Sequence, residues 1–282
     1  MQTSALQAFL GRFRRHRMAV ICLYLLVCMV AACLLGPFLS PYSPTTKSGG
    51  FSAPPDAQHI LGTDKIGRDL FTRLLHATRI SLAVGLLATL ISTFIGIFLG
   101  LVSGYFGGLA DRLLMSLTDM VMSFPYILLI LVAAAIFEPG FTSMVLILGF
   151  VNWPGVARLV RGNVLSLRNT NFIQNDRTAG MKPAYILFRE ILPNTMAPVL
   201  IYATSVFALS ILDEAALSYL GMGVQPPSPS LGNLLSGAES LSVLTGKPWM
   251  WIPAGSVIIL LVVCINFIGD AMRDAMDPRN LA

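Results

Sequence analysis

Residues 153–194 read WPGVARLVRGNVLSLRNTNFIQNDRTAGMKPAYILFREILPN. The stretch is a basic, partly amphipathic insert between two long apolar runs, near 141–160 and 195–220. Apolar runs of about 20 residues cross a hydrocarbon core as helices, so the insert folds at a membrane surface. It carries Arg158, Arg161, Arg168, Arg177, Lys182 and Arg189 against Asp176 and Glu190, an excess of positive charge that marks a cytoplasmic loop. Gly180 and Pro183 divide it into two short helical pieces, because glycine permits a sharp turn and proline suits a first helical turn. An elbow of this kind suits the grip of a soluble partner. The competing reading is a basic loop lying on anionic lipid.

Working outward, six runs are long and apolar enough to span, near 18–39, 80–104, 113–137, 141–160, 195–220 and 249–271. The chain has 282 residues, 55% hydrophobic and 12% charged, where a soluble domain carries about 25% charge; its mean hydropathy is +0.73. These values predict an all-α integral membrane protein. With the N-terminus inside, thirteen of the 19 Lys and Arg fall on the inner side and six on the outer, which places both termini in the cytoplasm. The layout that follows is a cytoplasmic segment 1–17, a first transmembrane helix 18–39, an extracytoplasmic loop 40–79, a core 80–271 that includes the elbow at 158–194, and a cytoplasmic tail 272–282. Val30–Cys33 loosely resembles a lipoprotein cleavage box, but the apolar run continues to Leu39, so the first helix is expected to be uncleaved.

Several chemistries find no residues to carry them. Gly246-Lys247-Pro248 lacks the surrounding glycines and hydroxyl of a phosphate loop. His16, His59 and His76 are scattered, with no paired-histidine zinc motif, and no nucleophile elbow occurs. Cys22, Cys28, Cys33 and Cys264 lie in apolar runs as small fillers. No basic run with interleaved aromatics suggests nucleic acid. The expectation is therefore a chain with no catalytic residues, no metal and no cofactor of its own. Gly96, Gly100 and Gly104 give one helix a small-residue face for close packing. Carboxylates in apolar runs are costly. Asp119, Asp213 and Glu214 are thus either structurally paired or line a path through the membrane. Asp270, Asp274 and Asp277, interleaved with Arg273 and Arg279, read as ion pairs at a helix end.

Further residues carry a resemblance. His59-Ile-Leu-Gly-Thr-Asp-Lys-Ile-Gly-Arg-Asp69, Asp111-Arg112 through Asp119 to Phe124-Pro125, Ala157–Gly162 with Leu165–Arg168, Leu217–Gly223 with Pro226-Pro227, and Gly269-Asp270 to Asp277-Pro278-Arg279 occur in order along the chain. Together they resemble the C-type permease subunit of oligopeptide, dipeptide and nickel ABC importers. The resemblance implies a six-transmembrane-helix permease of the type I importer fold with a cytoplasmic coupling loop, in a bacterial inner membrane. It implies four kinds of partner: a second, similar permease, two ATPase subunits that hold the ATP and Mg, an extracytoplasmic binding protein, and membrane lipid. The cargo would be di- or oligopeptides, or alternatively nickel or a metal chelate; a passive channel or scaffold is the remote alternative. The elbow would dock in an ATPase groove through Gln174, Asn175, Asp176, Arg177, Gly180, Met181 and Lys182. Phe172, Ile173 and Met181 would be apolar anchors there. The family's loop normally reads Glu-Ala-Ala before its glycine. Gln174-Asn175-Asp176 moves the negative charge and enlarges two small positions.

Overall fold

The computed structural model describes residues 11–276; the expected ion pairing of Asp277 and Arg279, and most of both terminal segments, lie outside the described residues. Five helices are long and apolar enough to cross a membrane, and six spans result when one sharply bent pair counts as a single span. They are α1 (Arg17–Leu39), α2 (Leu70–Phe106), the bent pair α3 (Gly108–Ser123) and α4 (Tyr126–Ile136), α5 (Phe141–Arg168), and α7 (Pro183–Tyr219) and α10 (Ile252–Met276). Short helices fill the connections: α6 (Asn171–Thr178), α8 (Leu231–Leu235) and α9 (Leu241–Gly246). Among the described residues the only strand-like pairing is one isolated bridge, Thr63 with Asp69.

The helix bounds depart from the apolar runs where polar residues find partners. α2 begins at Leu70, ten residues before its apolar run. Asp69 caps it, accepting from the Thr72 N–H at 2.8 Å and the Thr72 hydroxyl at 2.6 Å, and so satisfies donors that a helix start leaves unpaired. The single span expected over 113–137 is instead bent by 88°. Pro125 lacks an N–H and forces its predecessor out of helical geometry, and Phe124 is extended, at φ −82° and ψ 141°. α5 continues to Arg168, so Arg158, Arg161 and Arg168 are helical and not part of a loop. Pro183 opens α7, which passes through a π-helical stretch, Ile186–Ile191, before resuming its α form.

The packing centres on α2. Its Gly96, Gly100 and Gly104 lie against Val156, Val160 and Val164 of α5. A Cβ on Gly100 would stand 2.6 Å from the Val160 Cβ, and one on Gly104 would stand 2.7 Å from that of Val164. The small residues therefore let two backbones approach where a side chain would hold them apart. Gly85 does the same against Phe207 and Ile211 of α7.

Residues 40–69 fold over the outset of α2. Asp64 accepts from the backbone N–H groups of Ile66 and Arg68 at 3.0 and 2.9 Å and from Arg68 Nε at 2.7 Å. Gly62 and Gly67 stand in the left-handed region, φ +71° and +84°, which only glycine enters freely. Buried Arg73 donates from beneath to the Pro44 carbonyl at 2.8 Å. Residues 62–69 thus form a turn held by its own hydrogen bonds to Asp64.

Gly100→Leu is expected to destabilise the purified protein by about 1–3 kcal/mol through overpacking of the α2–α5 seam. Gly162→Leu, on α5 with open space beside it, should leave the thermal midpoint nearly unchanged. Equal midpoints for the two variants would refute the seam's role.

Candidate coupling elbow and intramembrane carboxylates

The elbow is α6 and the turn that follows it. α6 closes through two backbone bonds, Gly180 N–H to the Arg177 carbonyl and Met181 N–H to the Asp176 carbonyl, each 3.1 Å. This is the helix-terminating pattern that needs a left-handed residue one position past the cap, and Gly180 supplies it at φ +73°. No atom lies within 4 Å of where its Cβ would be. Within this chain the glycine is therefore required by backbone conformation and not by a close neighbour.

The elbow is anchored to the bundle from below. Ile173, expected among the outward anchors, is instead fully buried with Leu101, Tyr105, Val164, Leu187 and Ile191. The Arg177 guanidinium lies over the Tyr105 ring, 4.6 Å from its centre, a cation–π contact. What remains outward is a mixed patch. Phe172, Gln174, Asn175, Met181 and Lys182 are exposed, together with Tyr185 and Phe188 at the start of α7, and Asp176 is half-buried. Gln174 reaches back to the Asn169 carbonyl at 3.3 Å.

Behind the elbow, charged side chains lock three helices. Asp111 at the start of α3 takes two bonds from Arg161 of α5, at 2.6 and 2.7 Å, and one from the Ser103 hydroxyl of α2. Such forked guanidinium–carboxylate pairs are directional as well as strong. Arg168 donates to the Gly104 carbonyl at 3.2 Å. The basic residues that mark the loop in sequence thus serve largely as internal ties.

The three intramembrane carboxylates take three different environments. Asp119 pairs with Arg158 at 2.5 Å, both side chains uncovered by the rest of the chain. Glu214 is fully buried and accepts from the Ser81 hydroxyl at 2.5 Å and the Ser218 hydroxyl at 2.6 Å. Those hydroxyls in turn accept from the Leu231 and Val224 N–H groups. Glu214 therefore ties α2, α7 and the loop before α8 together. Asp213, one residue earlier, faces elsewhere and meets the Tyr126 hydroxyl at 2.5 Å. Tyr126, Asn152 and Tyr202, which gather near it, escaped sequence reading, although an asparagine inside the apolar run 141–160 is a signal of its own. Among the described residues no three His, Cys, Asp or Glu gather as a metal-holding group.

The family model for binding-protein-dependent transport system inner membrane components matches residues 96–281, which include the elbow and all three intramembrane carboxylates. The model for the N-terminal TM domain of oligopeptide transport permease C matches residues 4–55. The chain is similar to the dipeptide transport system permease protein of Alkalihalophilus pseudofirmus, 37% identical over 270 residues that cover 95% of this chain and 88% of the relative. It is also similar to the glutathione transport system permease protein of Pectobacterium atrosepticum, 37% identical over 273 residues, 96% of this chain and 90% of that one. In fold it matches a solved inward-facing MetNI methionine ABC transporter with a TM-score of 0.59 at 19% identity, covering 72% of this chain and 96% of the other.

The buried and outward residues of the elbow should separate in experiment. Ile173→Ala is expected to cost about 2–5 kcal/mol of stability, as truncation of a buried isoleucine does. Met181→Ala, at an exposed site, should stay within about 0.5 kcal/mol. Thermal unfolding of the purified protein checks both, and a Met181 effect as large as that of Ile173 would contradict the placement.

Proposed function

This chain belongs to the family of binding-protein-dependent transport system inner membrane components, and we propose that it is the peptide-conducting permease subunit of an ATP-driven importer. Its relatives' transport of dipeptides and of glutathione supports a short peptide as cargo. A second, similar permease completes the pathway. Two ATPase subunits carry the ATP and Mg chemistry, and an extracytoplasmic protein delivers the cargo. The elbow, the N-terminal arginines and Arg273 lie on the cytoplasmic side, in keeping with the distribution of Lys and Arg. The glycine- and proline-rich connections 40–69 and 220–251 lie on the outer side.

The observation that carries this reading is the elbow, a short helix closed by Gly180 and fastened to the bundle by Ile173 and by Arg177 on Tyr105. Gln174, Asn175, Asp176, Met181 and Lys182 form the face offered to an ATPase groove, apolar contact at Phe172 and Met181 with polar groups around it. Arg177, exposed on the same helix and lying over Tyr105, stands beside this face. When the ATPases close, α6 is pushed, and the tie at Ile173 carries the push into α2, α5 and α7 as a largely rigid displacement. Cargo passes as the two permeases rock between outward and inward openings.

Two measurements test the proposal. In the purified complex, Gly180→Leu places a side chain in left-handed backbone and should reduce both ATPase retention and substrate-stimulated hydrolysis while the chain still inserts in the membrane. Unchanged retention and hydrolysis would remove the elbow from the mechanism. In intact cells, an impermeant thiol reagent should label Gly50→Cys and Ser240→Cys but not Asn171→Cys; labelling of Asn171→Cys from outside would overturn the orientation.

A further inference from the structure

A cavity of about 340 Å³ opens where α3 breaks into α4, between the middles of α5 and α7. Its walls are mostly apolar, including Val121, Leu129, Val151 and Leu209, and its polar groups are Tyr126, Asn152 and Tyr202. On α7, Tyr202, Leu209 and Asp213 are spaced seven and four residues apart and so share one face. Gly155 of α5 leaves room for the Tyr202 hydroxyl, which a Cβ at that position would strike.

The polar end of the cavity has more acceptors than protons. The Tyr126 hydroxyl lies 2.5 Å from Asp213 Oδ2 and 3.2 Å from Asn152 Oδ1. A phenol has one proton to give, and the shorter contact to a carboxylate takes it. The Asn152 amide nitrogen is committed to the Leu148 carbonyl at 3.0 Å, which fixes its oxygen toward Tyr126. Two oxygens then face each other at the cavity wall with no donor between them. Asp213 stands one hydrogen bond behind, half-buried. Asp111 and Asp119 each have an arginine; among the described residues no cation lies within ion-pair distance of Asp213. A carboxylate at this depth without a counter-ion is costly unless something positive visits it.

We propose that this cavity binds a protonated primary amine, the N-terminal ammonium of a peptide in transit. The amine is held by the oxygens of Tyr126 and Asn152, with Asp213 supplying the opposing charge; the identity of the amine rests on the peptide-permease reading above. An ammonium brings three N–H donors and one positive charge. It thereby fills both vacant acceptors and neutralises the carboxylate in one contact. The aromatic walls of Phe124, Tyr126 and Tyr202 add faces that favour cations. A ligand carboxylate entering the same place would meet two vacant acceptors and like charge, with only the Tyr202 hydroxyl and one Asn152 N–H as donors.

The test reads the cavity's charge directly. In the assembled importer, with Cys22, Cys28, Cys33 and Cys264 replaced by alanine, Leu209→Cys reports from the cavity wall one turn from Asp213. A cationic methanethiosulfonate is expected to modify it faster than an anionic one, and Asp213→Asn should cut that preference on the order of tenfold. Uptake of trialanine should fall by a comparable factor in Asp213→Asn and recover in part in Asp213→Glu. If Asp213→Asn does not assemble with its partner subunits, Asp213→Ser replaces it. A preference near unity in the parent, a preference unchanged by the substitution, or a Leu209→Cys inert to both reagents would each overturn the site. A normal cationic preference that depends on Asp213, in a complex that takes up no peptide, would uphold the amine site and refute the peptide reading.

Discussion

The seam between α2 and α5 is the contact on which the rest of the bundle is built. Three glycines at four-residue spacing meet three valines at the same spacing. In lipid there is little hydrophobic gain from bringing helices together, so close van der Waals packing has to do it. The seam sets the separation of two helices whose C-terminal ends support everything at the elbow. Leu101 and Tyr105 stand one residue past Gly100 and Gly104, and beside them runs the line of Val156, Val160 and Val164. Both end in the apolar cluster that swallows Ile173. The Asp111–Arg161 fork and the Arg168–Gly104 bond then fix the same two helices to α3 and to each other. A displacement applied at α6 thus meets a stiff assembly and not a hinge.

The opposite end of the bundle is finished differently. There the chain uses self-contained hydrogen-bonded turns: Asp64 in its turn, Asp69 on the first turn of α2, Glu214 among serines of two helices. Each brings a carboxylate out of water only where several donors converge on it, the condition under which burial is tolerable. Between these two ends lies the break in the third span, where the chain gives up regular helix at Phe124-Pro125. Irregular backbone at membrane depth is tolerated where protein or a water-lined cavity covers it. Here it borders the cavity with Tyr126, Asn152 and Tyr202.

Much of this was legible in the sequence. The apolar runs located each span among the described residues, the glycine repeat marked the seam, and Gly180 with Pro183 marked where α6 ends and α7 begins, although the second piece is the start of a long helix and not a short one. The remainder was hidden for identifiable reasons. Arg73 and Arg79 made the start of α2 look like loop, because a charge count does not reveal that Asp69 caps the helix and that Arg73 folds under the 40–69 turn. Arg158, Arg161 and Arg168 looked like a surface run because their partners, Asp119, Asp111 and the Gly104 carbonyl, come from other helices. Asp213 and Glu214 are adjacent in sequence but about 100° apart around the helix, so one meets serines in the core and the other faces a cavity. No pattern along a single chain distinguishes the two. Ile173 looked like a docking anchor because an apolar residue on a short surface helix can point either way.

The central claim is that the elbow moves as one body with α2 and not independently of it. Distances between spin labels at Asn175→Cys on the elbow and Phe98→Cys on the uncovered side of α2, in the assembled importer, test it most directly. The account predicts the same distance distribution without nucleotide and with ATP bound, even as the separation between elbows of the two permeases changes. A shift within one chain as large as a helical turn, about 5 Å, would mean that the elbow swings free of the bundle, and would contradict the account.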